Sequence, residues 1–229
     1  MSKRVNRLLT GEDLRLTYGS DHALAGASLT VQPGESIGVV GRSGSGKTSL
    51  LLCLAGIVRP SGGRVAFRGT RIDDGSDEER SALRRTSFGF VFQFGELAPE
   101  LSLLENVSMP LRFAGVRRAP AERRAREAMG DVGIAELAQR RPGQVSGGQV
   151  QRAAVARALV HEPAVIFADE PTGALDADSG QKVLALLLDQ ARVRGSSVLL
   201  VTHDSTVASA ADRTVVVTDG RTGAQGVTL

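Results

Sequence analysis

The sequence predicts an α/β fold interrupted by a helical insertion, and three observations carry that prediction. Short β-branched runs alternate with helical stretches near both ends of the chain. Between roughly Leu97 and Gly143 the β-branched runs vanish and the periodicity turns helical. Pro-Gly at 33–34 and Asp-Gly at 219–220 punctuate the strand-rich parts as turns. At 229 residues, 41% apolar and 23% charged, the chain fits one α/β domain with a sizeable core and room for an inserted subdomain.

Residues 14–19 (LRLTYG) and 27–41 (ASLTVQPGESIGVVG) read as strands, with the Pro-Gly turn inside the second stretch. The run 36–41 feeds a segment that turns abruptly to helical character, SLLLCLAGIV, in which the single Cys53 reads as a buried structural thiol. Residues 62–72 look like two short strands, Asp77 to Arg85 a charged helix and 87–93 (SFGFVFQ) another strand. The segment 120–134 opens a helix with Pro120 at its first position, where a missing N–H costs no bond. Residues 164–169 (AVIFAD) are a strand, 179–195 a helix and 196–203 (SSVLLVTH) a strand with His203 at its end. The closing RTVVVTDGRT is a hairpin on the Asp-Gly turn.

Composition narrows the function classes. Net charge is only +3, from 28 Lys and Arg against 25 Asp and Glu, so no nucleic-acid footprint is evident. One cysteine excludes an intramolecular disulfide and a cysteine zinc cluster. The N-terminal MSKRVNRLLTGEDL is basic without the apolar run of a signal peptide, and no stretch approaches the roughly 20 apolar residues of a membrane span. These features lead us to expect a cytosolic protein unless something else holds it at a membrane.

The chemistry begins at Gly41-Arg42-Ser43-Gly44-Ser45-Gly46-Lys47-Thr48, which satisfies G-x-x-x-x-G-K-[ST] between a predicted strand and a predicted helix. Glycines let the backbone wrap a polyphosphate with its N–H groups inward, and the helix N-terminus adds partial positive charge. Lys47, one of only three lysines in an arginine-rich chain, supplies a point charge to the β- and γ-phosphates. Thr48 is placed to ligate Mg²⁺, and Ser49 beside it is a further nucleotide-binding candidate. Such a loop needs an acid for the metal, and Asp169 at the end of AVIFAD provides one. Glu170, one residue on, is the candidate that polarises a water for in-line attack. A second stretch, Ser146-Gly147-Gly148-Gln149, has the form of another phosphate-binding helix start and poses the question of what it binds.

These motifs, in this order, resemble the nucleotide-binding subunits of ABC transporters over nearly the whole chain. Ser146 to Gln149 is similar to the family's signature motif, Tyr18 to its adenine-stacking aromatic, Gln93 to the Q-loop, Ala174-Leu175-Asp176 to the D-loop and His203 to the switch histidine. The departures are Val145 where Leu is usual and Val150 where polar residues are common; both leave the phosphate-facing residues intact. The resemblance implies a P-loop NTPase, RecA-like core with an N-terminal antiparallel β subdomain (1–93 and 157–229) and an inserted helical subdomain (94–156). It also implies two copies joined head to tail around two Mg-ATP, each signature motif completing the partner's site. Gln93 would then join Thr48 at the metal, and Lys47, Gln93, Glu170 and His203 would serve hydrolysis.

The segments GFVFQFGELAPELSLLENVSMPL and DEPTGALD are most similar to the macrolide-export, lipoprotein-release and cell-division branch. That implies a separate membrane permease, no nucleic acid, and residence at the cytoplasmic face of the membrane. Some apolar residues after Gln93 (Phe94, Leu97, Leu101, Leu103, Leu104) are expected in the core and others in a groove for a partner helix. The run Arg112, Arg117, Arg118, Arg123, Arg124 and Arg126 reads as a solvated face, with lipid headgroup contact as the weaker alternative. His22 and His161 match no motif. A non-transport ABC ATPase, such as one of iron–sulfur assembly, stands as the second reading.

Overall fold

The computed structural model describes residues 7–223, so the basic reading of residues 1–6, Lys3 included, lies outside the described residues. In chain order the elements are β1 (Leu9–Tyr18), β2 (Asp21–Val31), β3 (Ser36–Val40), α1 (Lys47–Leu54), β4 (Gly62–Phe67), β5 (Thr70–Arg71), α2 (Asp77–Ser87) and β6 (Phe88–Phe92). They continue with α3 (Leu103–Phe113), α4 (Arg118–Asp131), α5 (Gly147–Leu159), β7 (Val165–Asp169), α6 (Ala177–Val193), β8 (Ser197–Val201), α7 (Ser205–Ala208), β9 (Arg213–Thr218) and β10 (Arg221–Thr222). Contacts divide the chain into two compact units, residues 7–84 with 197–223, and residues 85–196.

In the first unit β1 lies between β2 and β4, antiparallel to both, with Leu9 opposite Val31 on one side and Phe67 on the other. Leu9, Leu14, Leu16, Leu24, Leu29 and Val65 fill one face of this sheet. The other sheet of the unit has β3 at its centre, parallel to both β8 and β9. Ile37 and Val39 of β3, and Val198 to Val201 of β8, are buried almost completely, as expected of parallel strands covered on both faces. Gly38 is required there, because a Cβ would collide with the backbone of Ala208 in α7. Asp219 and Gly220 both take positive φ (45° and 71°), which is the turn the Asp-Gly pair predicts between β9 and β10. Cys53 is buried on α1, and desolvation pushes its thiol up to about 12, so it acts as a small apolar residue.

In the second unit β6 and β7 pair in parallel, Phe88 against Val165 through Phe92 against Asp169. Phe167 packs edge-on to Phe88 and nearly flat on Phe90, with centroids 5.1 and 5.6 Å apart. Helices α3, α4 and α5 pack on one another. Their contact faces are alanine-rich: Ala121 and Ala125 of α4 and Ala153, Ala154 and Ala156 of α5 are fully buried. The predicted helical stretch from Leu97 therefore forms, as α3 and α4. Its start differs in detail: α4 begins at Arg118, so Pro120 is its third residue rather than its first. All of the first turn's N–H groups lack intrahelical partners, and proline is tolerated there for the same reason. α5 runs unbroken through residues 156 and 157, where the sequence-based boundary lay.

Two further features lie outside the sequence expectations, the end of β8 and the helix after it. β8 ends at Val201, two residues before His203. The four-residue α7 follows, capped by Asp204, which accepts from the Thr206 and Val207 N–H groups. Of the apolar residues after Gln93, Leu97, Leu103 and Leu104 are buried, while Phe94 is exposed. The arginine run is partly engaged: Arg118 pairs with Glu122, and Arg124 with Glu162 and the Val160 carbonyl.

Candidate functional site

The first unit carries the glycine-rich loop. It leaves β3 at Val40 and enters α1 at Lys47. Gly44 and Gly46 have φ of 76° and 102°, conformations that L side chains rarely adopt. A Cβ on Gly41 would stand 2.6 Å from Ser45 Oγ, and one on Gly46 would collide with the Ala23 carbonyl of β2. The loop thus closes on itself with its backbone bared. Gly46 caps α1 with no side-chain acceptor, which leaves the first N–H groups of the helix without side-chain caps. Lys47 is buried and donates Nζ to the carbonyls of Gly41 (2.8 Å) and Arg42 (2.9 Å). Ser45 Oγ is buried without a hydrogen-bond partner, an orphaned polar atom that a phosphate oxygen would satisfy.

Arg42, Ser43 and Thr48 of the loop are exposed and Ser49 is half-buried. Tyr18, at the end of β1, is 53% exposed, so its ring has no core role. Parallel pairing sets Val39 beside Val201, so the loop after β3 and His203 after β8 leave the same edge of the sheet. Sites in parallel sheets form at that carboxyl edge.

The second unit carries the acids and the signature. Pairing of Phe92 with Asp169 brings Gln93 and Glu170, each one residue further, to the same ends of β6 and β7. Glu170 has φ 47°, a left-handed conformation for a non-glycine residue, at a cost of roughly 1 kcal/mol. The turn that follows is closed by the Gly173 N–H donating to the Glu170 carbonyl at 3.0 Å. The Gln93 side chain lies across Gly173: a Cβ there would stand 2.9 Å from Gln93 Nε2 and 3.3 Å from Cδ.

Ser146 is the N-cap of α5 in a reciprocal capping box. Its Oγ accepts from the Gln149 N–H (3.3 Å), and Gln149 Oε1 accepts from the Ser146 N–H (2.9 Å). Gly147 and Gly148 form the bare first turn, and a Cβ on Gly147 would only touch Leu175, at 3.5 Å. The Ala174–Asp176 segment therefore runs alongside the signature turn. Asp176 caps α6 by accepting from the Ser179 N–H at 2.9 Å, and that bond holds its carboxyl below the usual range. Among the described residues no group of three or more His, Cys, Asp or Glu stands ready to hold a metal alone.

The structure thus gathers the loop and His203 in one unit, and Gln93, Asp169, Glu170, Asp176 and Ser146–Gln149 in the other. Sequence reasoning missed Gly173, Gln151 and Arg157. The last two are polar positions inside the alanine-rich α5, which was the available signal. Gly173 has no positive φ, so Gly173→Ala introduces a methyl without backbone strain. We expect this variant to fold with an unchanged thermal midpoint, to displace Gln93, and to lower the ATPase rate with ATP binding intact; a nucleotide titration beside steady-state turnover checks it.

A glycine-rich phosphate loop between a parallel strand and a helix, with an acid closing a buried strand, defines a P-loop NTPase. The chain belongs to the ABC transporter family, whose model matches residues 24–173. It is similar to the lipoprotein-releasing system ATP-binding protein LolD of Geobacter metallireducens, 44% identical across 95% of this chain and 98% of that protein. It is also similar to the macrolide export ATP-binding/permease protein MacB of Hyphomonas neptunium, 42% identical across 93% of this chain and 34% of that one. Among solved structures, the ATP-binding cassette MJ0796, a dimer in a post-hydrolysis state with ADP and Pi, superposes with a TM-score of 0.88 at 35% identity, covering 96% and 98% of the two chains. The chain is an ATP-binding, ATP-hydrolysing subunit of this transporter class. No helix among the described residues is long and apolar enough to cross a membrane.

Proposed function

We propose that two copies of the chain associate head to tail around two Mg-ATP, and that this closure drives a separate membrane permease of the lipoprotein-release or macrolide-export kind. The observation that carries the reading is the presence of two glycine-rich helix N-termini in one chain, the uncapped one at Gly46 and the one that Ser146 caps ahead of Gly147 and Gly148. A nucleotide has one γ-phosphate, so the second terminus is explained if it completes the site of another copy. MJ0796 is described as dimeric, in agreement with that arrangement.

In this reading the loop from Gly41 to Ser49 wraps the phosphates, and Lys47 exchanges its two carbonyl acceptors for phosphate oxygens. Tyr18 stacks on the base, a contact that discriminates weakly between ATP and GTP. Thr48, Asp169 and Gln93 hold Mg²⁺, which neutralises phosphate charge. Glu170 takes the proton of the attacking water, and His203 donates a hydrogen bond to the γ-phosphate. Ser146, Gly147, Gly148 and Gln149 of the other copy present N–H and hydroxyl donors to the same phosphate, with Asp176 beside them. The permease places the chain at the cytoplasmic face of the membrane as a peripheral subunit.

Affinity capture of the Glu170→Gln protein from native membranes with ATP and Mg²⁺ tests the partner. Recovery of a multi-span protein with a large extracytoplasmic domain is the expected result. Recovery of soluble proteins alone would move a non-transport ATPase, such as one of iron–sulfur assembly, to the front.

A further inference from the structure

α5 does more than present Ser146. Two of its polar side chains turn back onto the backbone on either side of Gln93. Gln151 is 2% exposed and donates Nε2 to the Phe92 carbonyl at 2.9 Å. Arg157 donates Nη2 to the Gly95 carbonyl and Nη1 to the Glu96 carbonyl, both at 2.7 Å. Gly95 and Glu96 have φ of 69° and 46°. That left-handed pair reverses the chain, and at Glu96 it is strained. The backbone is also pressed against the helix: a Cβ on Gly95 would stand 3.0 Å from Val150 Cγ1 and 3.3 Å from Gln151 Oε1.

Bonds from a guanidinium are about twice as strong as neutral ones, and arginine's planar fork holds two acceptors at a fixed spacing. Burial lowers the Arg157 pKa from its ordinary value, although the group stays charged at any physiological pH. Among the described residues, both hydrogen bonds of the Arg157 guanidinium go to this loop.

We infer that Gln151 and Arg157 are positioning residues for hydrolysis: they lock the backbone flanking Gln93 to α5, so the Gln93 amide follows the helix whose other end is Ser146. The inference rests on the role given to Gln93 above. α5 has 13 residues and spans roughly 20 Å. A phosphate engaging its N-terminus therefore acts on the same rigid body that holds Gln93. The amide would be drawn into place only when the partner's nucleotide is gripped.

Arg157→Lys tests this, because a single ammonium keeps the charge but not the fork. We expect kcat to fall roughly tenfold, about 1.4 kcal/mol in the barrier, with KM for ATP within about twofold of the parent. On a Gln93→Ala background the same substitution should change kcat by less than about twofold, since its effect runs through Gln93. In parallel, amide hydrogen exchange of the nucleotide-free protein should accelerate at residues 93–97 in Arg157→Lys and Gln151→Leu, with α6 and the thermal midpoint unchanged. Full multiplication of the two kcat effects, or parental exchange at 93–97 in both variants, would overturn the inference. A parent protein without ATPase activity would instead overturn the functional reading, and the exchange result would still decide whether the backbone is locked to α5.

Discussion

Glu170→Gln will bind ATP, cease to turn it over and accumulate as a two-copy species. Glutamine has the same length and the same backbone demands, so the left-handed conformation at this position and its roughly 1 kcal/mol of strain are unchanged. What is lost is the carboxylate that accepts a proton from the attacking water. A general base of this kind contributes about 10²–10⁴-fold, so turnover should fall by that factor. Steady-state phosphate release measures it. Anything that binds only the associated form stabilises that form by mass action. With hydrolysis blocked, ATP is not consumed, and light scattering on a sizing column should find the dimer with ATP and the monomer without. Turnover within a few-fold of the parent would mean that the base lies elsewhere, and His203 would become the first residue to examine.

The part of this site that was legible in the sequence is the part whose geometry is local. A loop that wraps phosphate with consecutive backbone N–H groups has its glycines, lysine and threonine at fixed spacings, and Gly44 and Gly46 take the positive φ that only glycine accepts readily. The helix start at Ser146 to Gln149 is local in the same way, although its reciprocal capping box was not read from the sequence. Parallel strands were legible because burial on both faces makes them continuous apolar runs.

What escaped is of two kinds. Short or offset elements carry too few residues to set a period: α7 has four, and α4 starts two residues before the proline that marked it. Contacts across long separations leave no spacing at all. Arg157 reaches carbonyls 61 and 62 residues earlier, and the clash that keeps Gly173 free of a side chain comes from Gln93. The left-handed Glu170 had no signal either, because that backbone normally selects glycine or asparagine.

Ser146→Arg provides the sharpest test of the head-to-tail arrangement. Ser146 Oγ caps α5, and losing a serine cap alone costs about 1 kcal/mol of stability. Ser146→Ala measures that cost and should leave most ATP binding intact. Arginine adds a long side chain where the partner's γ-phosphate would sit, so Ser146→Arg should bind ATP in its own loop yet neither dimerise with its own kind nor hydrolyse. Lys47→Ala should be inactive for the opposite reason, an emptied phosphate loop beside an intact signature.

Mixing the two inactive proteins separates the possibilities. If each site is built from the loop of one copy and the signature of the other, a mixed pair has one site with both defects and one with neither. Random pairing would make half the pairs mixed, with one of two sites intact in each, and would return about a quarter of the parent's activity; because pairs of like copies are disfavoured, recovery should lie between about a quarter and a half. If each copy used its own Ser146 on its own nucleotide, every site in the mixture would carry one defect and no activity would return. Recovery would answer why one chain holds two phosphate-binding helix starts; silence in the mixture, with both proteins folded and mixed pairs demonstrated by differential tagging, would dismiss the arrangement.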